Sequence, residues 1–420
     1  MRARIRGHTI RFLRWSERYT KTDMLYLAQG GFWLTLGHAV SVGASFALAI
    51  AFANLLPKEA YGTYKYILSV AGIVMALSLT GFKTVVVQQV AQGFEGILRQ
   101  AFWTNLRWGI IMAAVCAAAA TYYLAHGNGQ LAIALIIIGL FSPLLGSSGL
   151  YSMFLNGKKD FRGIAVGEIA DALVLTCLTL VALLFTDDPL VLVLIYFFAS
   201  TATGLLWYVR TVRRYAPNTA TEPSSLRYTK HLSAMNILTA ATVYVDKILV
   251  FHYLGAAELA VYVFALAIPG QLRMVFQKNI GGLVLPKFSE KATESSVAEI
   301  RHRIFPTLVR ATVVLLAVTA LYIAAAPFLF SLFFPDYLES VWYSQLFSLS
   351  LVAVLAGIPV SMLQSQHKTK ELYQFNLTTG VVQLGLLLVL VPLYGIGGAL
   401  TAGLISRFFA LGMGFLLIRS

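Results

Sequence analysis

The chain has 420 residues, 58% of them hydrophobic and 12% charged, with a mean hydropathy of +0.75 and a formal net charge of +14. A soluble domain carries about twice that charged fraction, so the composition excludes a water-soluble globular protein and calls for lipid as solvent. The apolar runs are about 20 residues long and nearly continuous, which fits transmembrane helices and not barrel strands that alternate over about 10 residues.

The first 23 residues are basic, with Arg2, Arg4, Arg6, Arg11, Arg14, Arg18 and Lys21 interleaved with Ile5, Ile10, Phe12, Leu13 and Trp15. No short hydrophobic core precedes a small-residue cleavage site, so no cleavable signal is expected. The segment reads either as an amphipathic helix on an anionic leaflet or as a topogenic tail. Twelve spans then follow by hydropathy and length, at 31–53, 62–84, 108–124, 131–155, 164–185, 190–209, 232–253, 260–284, 308–330, 341–363, 372–391 and 395–418. Pro143 and Gly146 interrupt the fourth. Cys116 and Cys177 fall inside apolar runs, with no disulfide or metal spacing, and read as small core residues.

The loops orient the chain, because basic residues near span ends stay in the cytoplasm. Alternate loops hold Arg99 and Arg107; Lys158, Lys159 and Arg162; Arg210, Arg213, Arg214, Arg227 and Lys230; Lys287, Lys291, Arg301 and Arg303; and Lys368 and Lys370. The intervening loops are short and acidic, with Glu59, Asp187, Asp188, Glu258, Asp336 and Glu339. Both termini are therefore expected on the cytoplasmic side of the membrane. The positive charge is topogenic and does not mark a nucleic-acid partner.

The chain also reads as duplicated. Leu56-Pro57 through Tyr64, Tyr66, Leu68 and Gly72 parallels Leu254-Gly255 through Tyr262, Phe264, Leu266 and Gly270 at one offset. Ser152-Met153 before Lys158-Lys159 resembles Ser361-Met362 before His367-Lys368. An even span number per half gives a parallel repeat. The expected organisation is a basic segment 1–23, a six-helix lobe 24–214, a cytoplasmic linker 215–226 and a second six-helix lobe 227–420. The fold class is thus an all-α integral membrane protein.

Ionisable residues inside the membrane are functional candidates by default. Asp246 and Lys247 lie in the outer half of span seven, where Asn236, Thr239, Thr242 and Asp246 repeat at helical spacing and form a polar face. Glu168 and Asp171 stand one turn apart in span five, Arg407 near the middle of span twelve and Arg273 in the inner half of span eight. Lys83 and Lys278 sit near cytoplasmic ends and can snorkel. Span one offers Thr35, His38, Ser41 and Ser45, and span eleven Asn376, Thr379 and Gln383. Each polar group has a structural reading, as a helix-to-helix hydrogen bond or a buried ion pair. Arg407 and Arg273 have no acid nearby in their own spans, which favours an aqueous cavity. Asp187-Asp188 before Pro189 reads as a solvated turn, and the short outer loops argue against a membrane glycosyltransferase. No phosphate-binding glycine loop, metal cluster, catalytic constellation or cofactor motif appears.

The segment Ala53-Asn54-Leu55-Leu56-Pro57-Lys58-Glu59-Ala60-Tyr61-Gly62-Thr63-Tyr64 resembles the first outer turn of the polysaccharide biosynthesis flippases. Leu79-Thr80-Gly81-Phe82, Asn156-Gly157-Lys158-Lys159-Asp160-Phe161, and Tyr244-Val245-Asp246-Lys247 before Leu254-Gly255 look similar to that family too. The resemblance implies two six-helix lobes around a central cavity. It also implies Wzx-type transfer of an undecaprenyl-diphosphate-linked oligosaccharide between leaflets, for O-antigen, capsule or exopolysaccharide assembly. A polysaccharide polymerase and chain-length proteins are the partners it suggests. In that frame Arg407, Arg273, Lys247, His38 and Asn376 are expected to line the cavity, and Asp246, Asp171 or Glu168 to couple an ion. The alternatives are a MATE-like cation-coupled exporter of small molecules, and a membrane-embedded polymerase or ligase.

Overall fold

The computed structural model describes residues 24–222, 225–291, 297–365 and 368–419. The basic segment 1–23 and His367 lie outside them, as do the side chains of Thr239, Lys278, Lys287, Lys291, Arg301 and Arg303. No strand occurs among the described residues.

The helices are α1 (Met24–Leu55), α2 (Lys58–Ala76), α3 (Phe82–Ala91), α4 (Ile97–Ala125), α5 (Gly129–Ser148), α6 (Leu150–Gly157) and α7 (Phe161–Leu183). They continue as α8 (Pro189–Tyr215), α9 (Ser225–Leu254), α10 (Ala256–Lys291), α11 (Val297–Phe333), α12 (Ser340–Ser348), α13 (Gly357–Ser365) and α14 (Thr369–Arg419). Among the described residues, nine helical stretches are long and apolar enough to cross a membrane, and one of them, Lys370–Leu417, has 48 residues. It folds back at Gly395, whose φ of 59° and ψ of −134° suit only glycine, so it supplies two spans. The second span falls on α2, where Lys58, Glu59 and Lys65 lower the hydropathy, and the seventh falls on α9. The chain is an all-α integral membrane protein with about twelve transmembrane helices.

Two spans differ in detail from the sequence reading. The fourth continues as helix through Pro143, which packs against Gly109 of α4, and breaks instead at Gly149. The second ends at Ala76 and restarts at Phe82. Protein groups satisfy the intervening backbone: Leu79 N–H donates to Asn105 Oδ1 at 3.2 Å, and Gly81 N–H to Ser233 Oγ at 2.9 Å. Trp108 Nε1 donates to Leu77 O at 3.0 Å. Non-helical backbone survives at membrane depth only where protein supplies such partners.

The chain forms two compact units. Unit 1 comprises Leu77–Ala182, Leu194–Ser233 and the described part of Met1–Leu48. Its core includes Phe82, Val86, Ile97, Leu98, Phe154 and Leu155, each almost inaccessible. Cys116 is buried, whereas Cys177 lies on an exposed face of α7 and is not a core residue. The segment after α8 is strapped down. Asn218 Nδ2 donates to Gly93 O at 2.9 Å, Glu95 N–H donates to Asn218 Oδ1 at 3.2 Å, and Gly96 N–H to Ala220 O at 3.0 Å. Ion pairs Lys158–Glu95 and Arg214–Asp160 lie at the same end.

Unit 2 comprises Ala49–Ala76, Leu183–Val193 and Ala234–Ser420. The two outer turns that repeat in sequence meet here: a Cβ on Gly62 would fall on the Ala256 carbonyl, and Tyr61 stacks on Phe264 at 4.8 Å. Phe52, Phe334 and Tyr337 complete this aromatic core. Tyr337 lies between two spans, and burial pushes its phenol up, with Asp336, Glu59 and Glu339 adding to the effect. Lys58 closes the turn by pairing with Glu339 at 2.6 Å.

Candidate functional site

Unit 2 concentrates cations in membrane-spanning helices around one carboxylate. Asp246 of α9 accepts from Tyr262 Oη of α10 at 2.7 Å, and Lys247 Nζ reaches Asp246 Oδ1 at 3.2 Å. Lys247 Nζ also donates to Val243 O, one turn back, at 3.0 Å. The ion pair that the structural reading of Asp246 and Lys247 required is therefore present, with a tyrosine as a third member.

Arg407 of α14 lies within electrostatic reach of Tyr262 and Asp246. Its guanidinium carbon stands 4.7 Å from the centre of the Phe347 ring of α12. Nη1 of Arg407 points toward the bare Gly403 and has no hydrogen-bond partner among the described residues. Arg273 lies about 16 Å further along α10 than Tyr262. It shares an electrostatic neighbourhood with Arg407, and its buried Nε also lacks a partner among the described residues. Two guanidiniums at membrane depth thus keep donors unused, although an unsatisfied buried donor is costly.

The reading of the sequence passes over Lys65, which sits three residues inside the predicted second span. Its Nζ lies 5.2 Å from the Tyr61 ring centre and 5.5 Å from that of Tyr64, and it interacts electrostatically with Lys247. The rule that singles out Arg407, a charge within an apolar run, applies to Lys65 equally. Tyr262 and Phe347 carry no such signal, because an apolar span routinely contains aromatics.

The other expected residues lie apart from this cluster. Asp171 of α7 is in unit 1, where Thr203 Oγ1 donates to its Oδ1 at 2.5 Å. Glu168, one turn earlier, is exposed, and both act electrostatically on Tyr151 of α6. His38 is half-buried on α1 in unit 1, where Gly37 packs closely on Ala165 of α7. Asn376 is on an exposed face of α14 in unit 2. The hydroxyl rows turn partly inward: Ser41 Oγ donates to Gly37 O and Thr379 Oγ1 to Phe375 O, each within its own helix. Gln383 instead crosses to α9, its Nε2 donating to Thr242 O at 3.0 Å. No group of three or more His, Cys, Asp or Glu suited to a metal occurs among the described residues.

Comparison with solved structures gives the fold. An inward-facing multidrug resistance MATE family transporter of the MOP superfamily is similar at 15% identity, with 91% of this chain and 96% of that chain covered and a TM-score of 0.69. Its outward-facing counterpart is similar at 13% identity, over 93% of this chain and 94% of that chain, with a TM-score of 0.62. A MOP superfamily transporter from Pyrococcus furiosus, described by a reverse polarity of its binding pocket that suggests a different function, is similar at 13% identity, over 93% and 94%, with a TM-score of 0.62. No curated relative matches significantly. The family model described as polysaccharide biosynthesis protein matches residues 27–291, more than half of the chain. The chain therefore belongs to the polysaccharide biosynthesis protein family.

Proposed function

We propose that this transporter moves a polyprenyl-diphosphate-linked oligosaccharide from the cytoplasmic to the outer leaflet by alternating access, for assembly of a surface polysaccharide such as O-antigen, capsule or exopolysaccharide. The observation that carries the proposal is the pair of half-buried arginines in α10 and α14, each with one buried donor that has no partner among the described residues. A diphosphate-sugar head cannot cross hydrocarbon without a substitute for its hydration. Forked guanidinium donors suit phosphate oxygens, and Lys65 and Lys247 add positive charge. A potential negative inside favours outward movement of an anionic head by about 2.3 kcal/mol per charge per 100 mV.

In this reading the protein resides in a bacterial inner membrane with both termini cytoplasmic, and lobes 24–214 and 227–420 rock about the substrate. Arg273, Arg407 and Lys247 contact the head at successive depths, with His38 and Asn376 as further contacts. Asp246, Asp171 or Glu168 carry any coupling proton. A polysaccharide polymerase and chain-length proteins take the product onward.

A MATE-like exporter of small molecules is the second reading. The multidrug-transporter fold and the membrane carboxylate Asp171, held by Thr203, favour it. One experiment separates the readings. Arg407→Ala should abolish surface polysaccharide while membrane abundance stays within about twofold, and Arg407→Lys should restore export in part because the charge returns without the fork. Normal export by Arg407→Ala would overturn the proposal. Loss of the protein itself would reassign Arg407 to structure.

A further inference from the structure

Helices α4 and α5 pack against one another in unit 1, and their shared face carries a cleft of about 580 Å³. Its floor is made of small residues at a close helix contact: Gly109 abuts Pro143, and Gly139 abuts Cys116 and Ala113. Its walls include Ile110 and Leu140, which are 68% and 65% exposed on helices that cross the membrane. That exposure is to lipid, so the cleft opens sideways into hydrocarbon.

The ends of the cleft differ. Arg107 stands at one end, exposed, with Trp103 one turn before it and no ion pair among the described residues. Ala117 and Leu135 make the other end wholly apolar. Arg107 to Ala117 is about 15 Å of helix, half of the roughly 30 Å hydrocarbon thickness. The cleft therefore runs the depth of one leaflet. Its single charge, beside an interfacial tryptophan, lies where headgroups meet acyl chains.

We propose that the cleft binds one anionic membrane phospholipid, with an acyl chain along the small-residue floor and the phosphate on the Arg107 guanidinium. Length and charge both select this occupant. An acyl chain matches a one-leaflet groove, whereas a polyprenyl chain is several times longer. A lone arginine prefers a net-negative headgroup to a zwitterionic one by about fivefold. The site lies within unit 1, separate from the cationic cluster of α9, α10 and α14.

The test uses the full chain in phosphatidylcholine vesicles doped with phosphatidylglycerol bearing a photoactivatable group on one acyl chain. Crosslinks mapped by mass spectrometry should concentrate in 107–117 and 135–143, about fivefold above those from the same group on phosphatidylcholine. Arg107→Gln should erase the headgroup preference and Arg107→Lys should keep part of it. Ala117→Phe, which fills the exposed end of the cleft, should remove the labelling without altering the elution of the purified protein. Equal labelling by the two headgroups would overturn the proposal, as would labels spread evenly along other lipid-facing helices such as α7. Displacement by undecaprenyl phosphate but not by excess unlabelled phosphatidylglycerol would assign the cleft to a polyprenyl tail and also overturn it.

Discussion

Asp246 shows how a charge is kept inside a membrane helix. It is half-buried and holds two partners at once, Tyr262 Oη at 2.7 Å and Lys247 Nζ at 3.2 Å. The two contacts are unequal energetically. Hydrogen bonds between membrane helices contribute about 0.6 kcal/mol on average, up to about 1.7, whereas stranding one member of a buried ion pair costs about 3–5 kcal/mol. Tyr262→Phe is therefore expected to lower the unfolding free energy in detergent by no more than about 2 kcal/mol. Asp246→Ala should lower it by more, and Asp246→Ala/Lys247→Ala should recover part of the loss. Denaturant titration of the three variants checks the order, and an Asp246→Ala variant as stable as wild type would remove the ion pair from the account. Asp246, Lys247, Arg273 and Arg407 were legible in the sequence as charges in apolar runs. Their neighbours were not, because Tyr262 and Phe347 come from other helices and look like ordinary membrane aromatics. Lys65 was equally visible but is masked by its nearness to the charged turn Lys58-Glu59.

At the scale of elements, helix approach is set by glycine. Gly62 lies on the Ala256 backbone, and Gly72 lies under the Tyr244 ring, so α2 is pressed against both α9 and α10. A side chain at Gly62 has a backbone carbonyl in its way and cannot be accommodated by a rotamer change. Gly62→Val is expected to destabilise the protein by about 1–3 kcal/mol or more and to lower membrane yield. Gly31→Val, where a Cβ meets nothing within 4 Å, should do neither. Equal yields would show that α2 moves away freely. Most spans could be read from hydropathy because lipid demands a helix wherever the chain is apolar for about 20 residues. The break at 77–81 could not. It depends on Asn105 and Ser233, which are distant in sequence and supply the hydrogen bonds that the helix gives up. Pro143 misled in the opposite sense, because Gly109 on the facing helix makes room for its ring.

For the whole molecule, the alternation of basic and acidic loops predicts the orientation. Cysteines placed at Asp188 or Asp336 should react with an impermeant thiol reagent on intact cells, and those at Lys159 or Lys368 only after permeabilisation. Reversal of either pair would break the orientation. The fold shared with MATE transporters does not choose a substrate, since similarity at 13–15% identity carries architecture alone. The excess of membrane-embedded cations is what points to an anionic head, and the central claim is best tested by transport itself. Purified protein in vesicles should expose a polyprenyl-diphosphate-linked oligosaccharide, loaded on the inner leaflet, to an impermeant lectin outside, and Arg407→Ala should not. Movement of a cationic dye with no movement of the lipid-linked glycan would contradict the account.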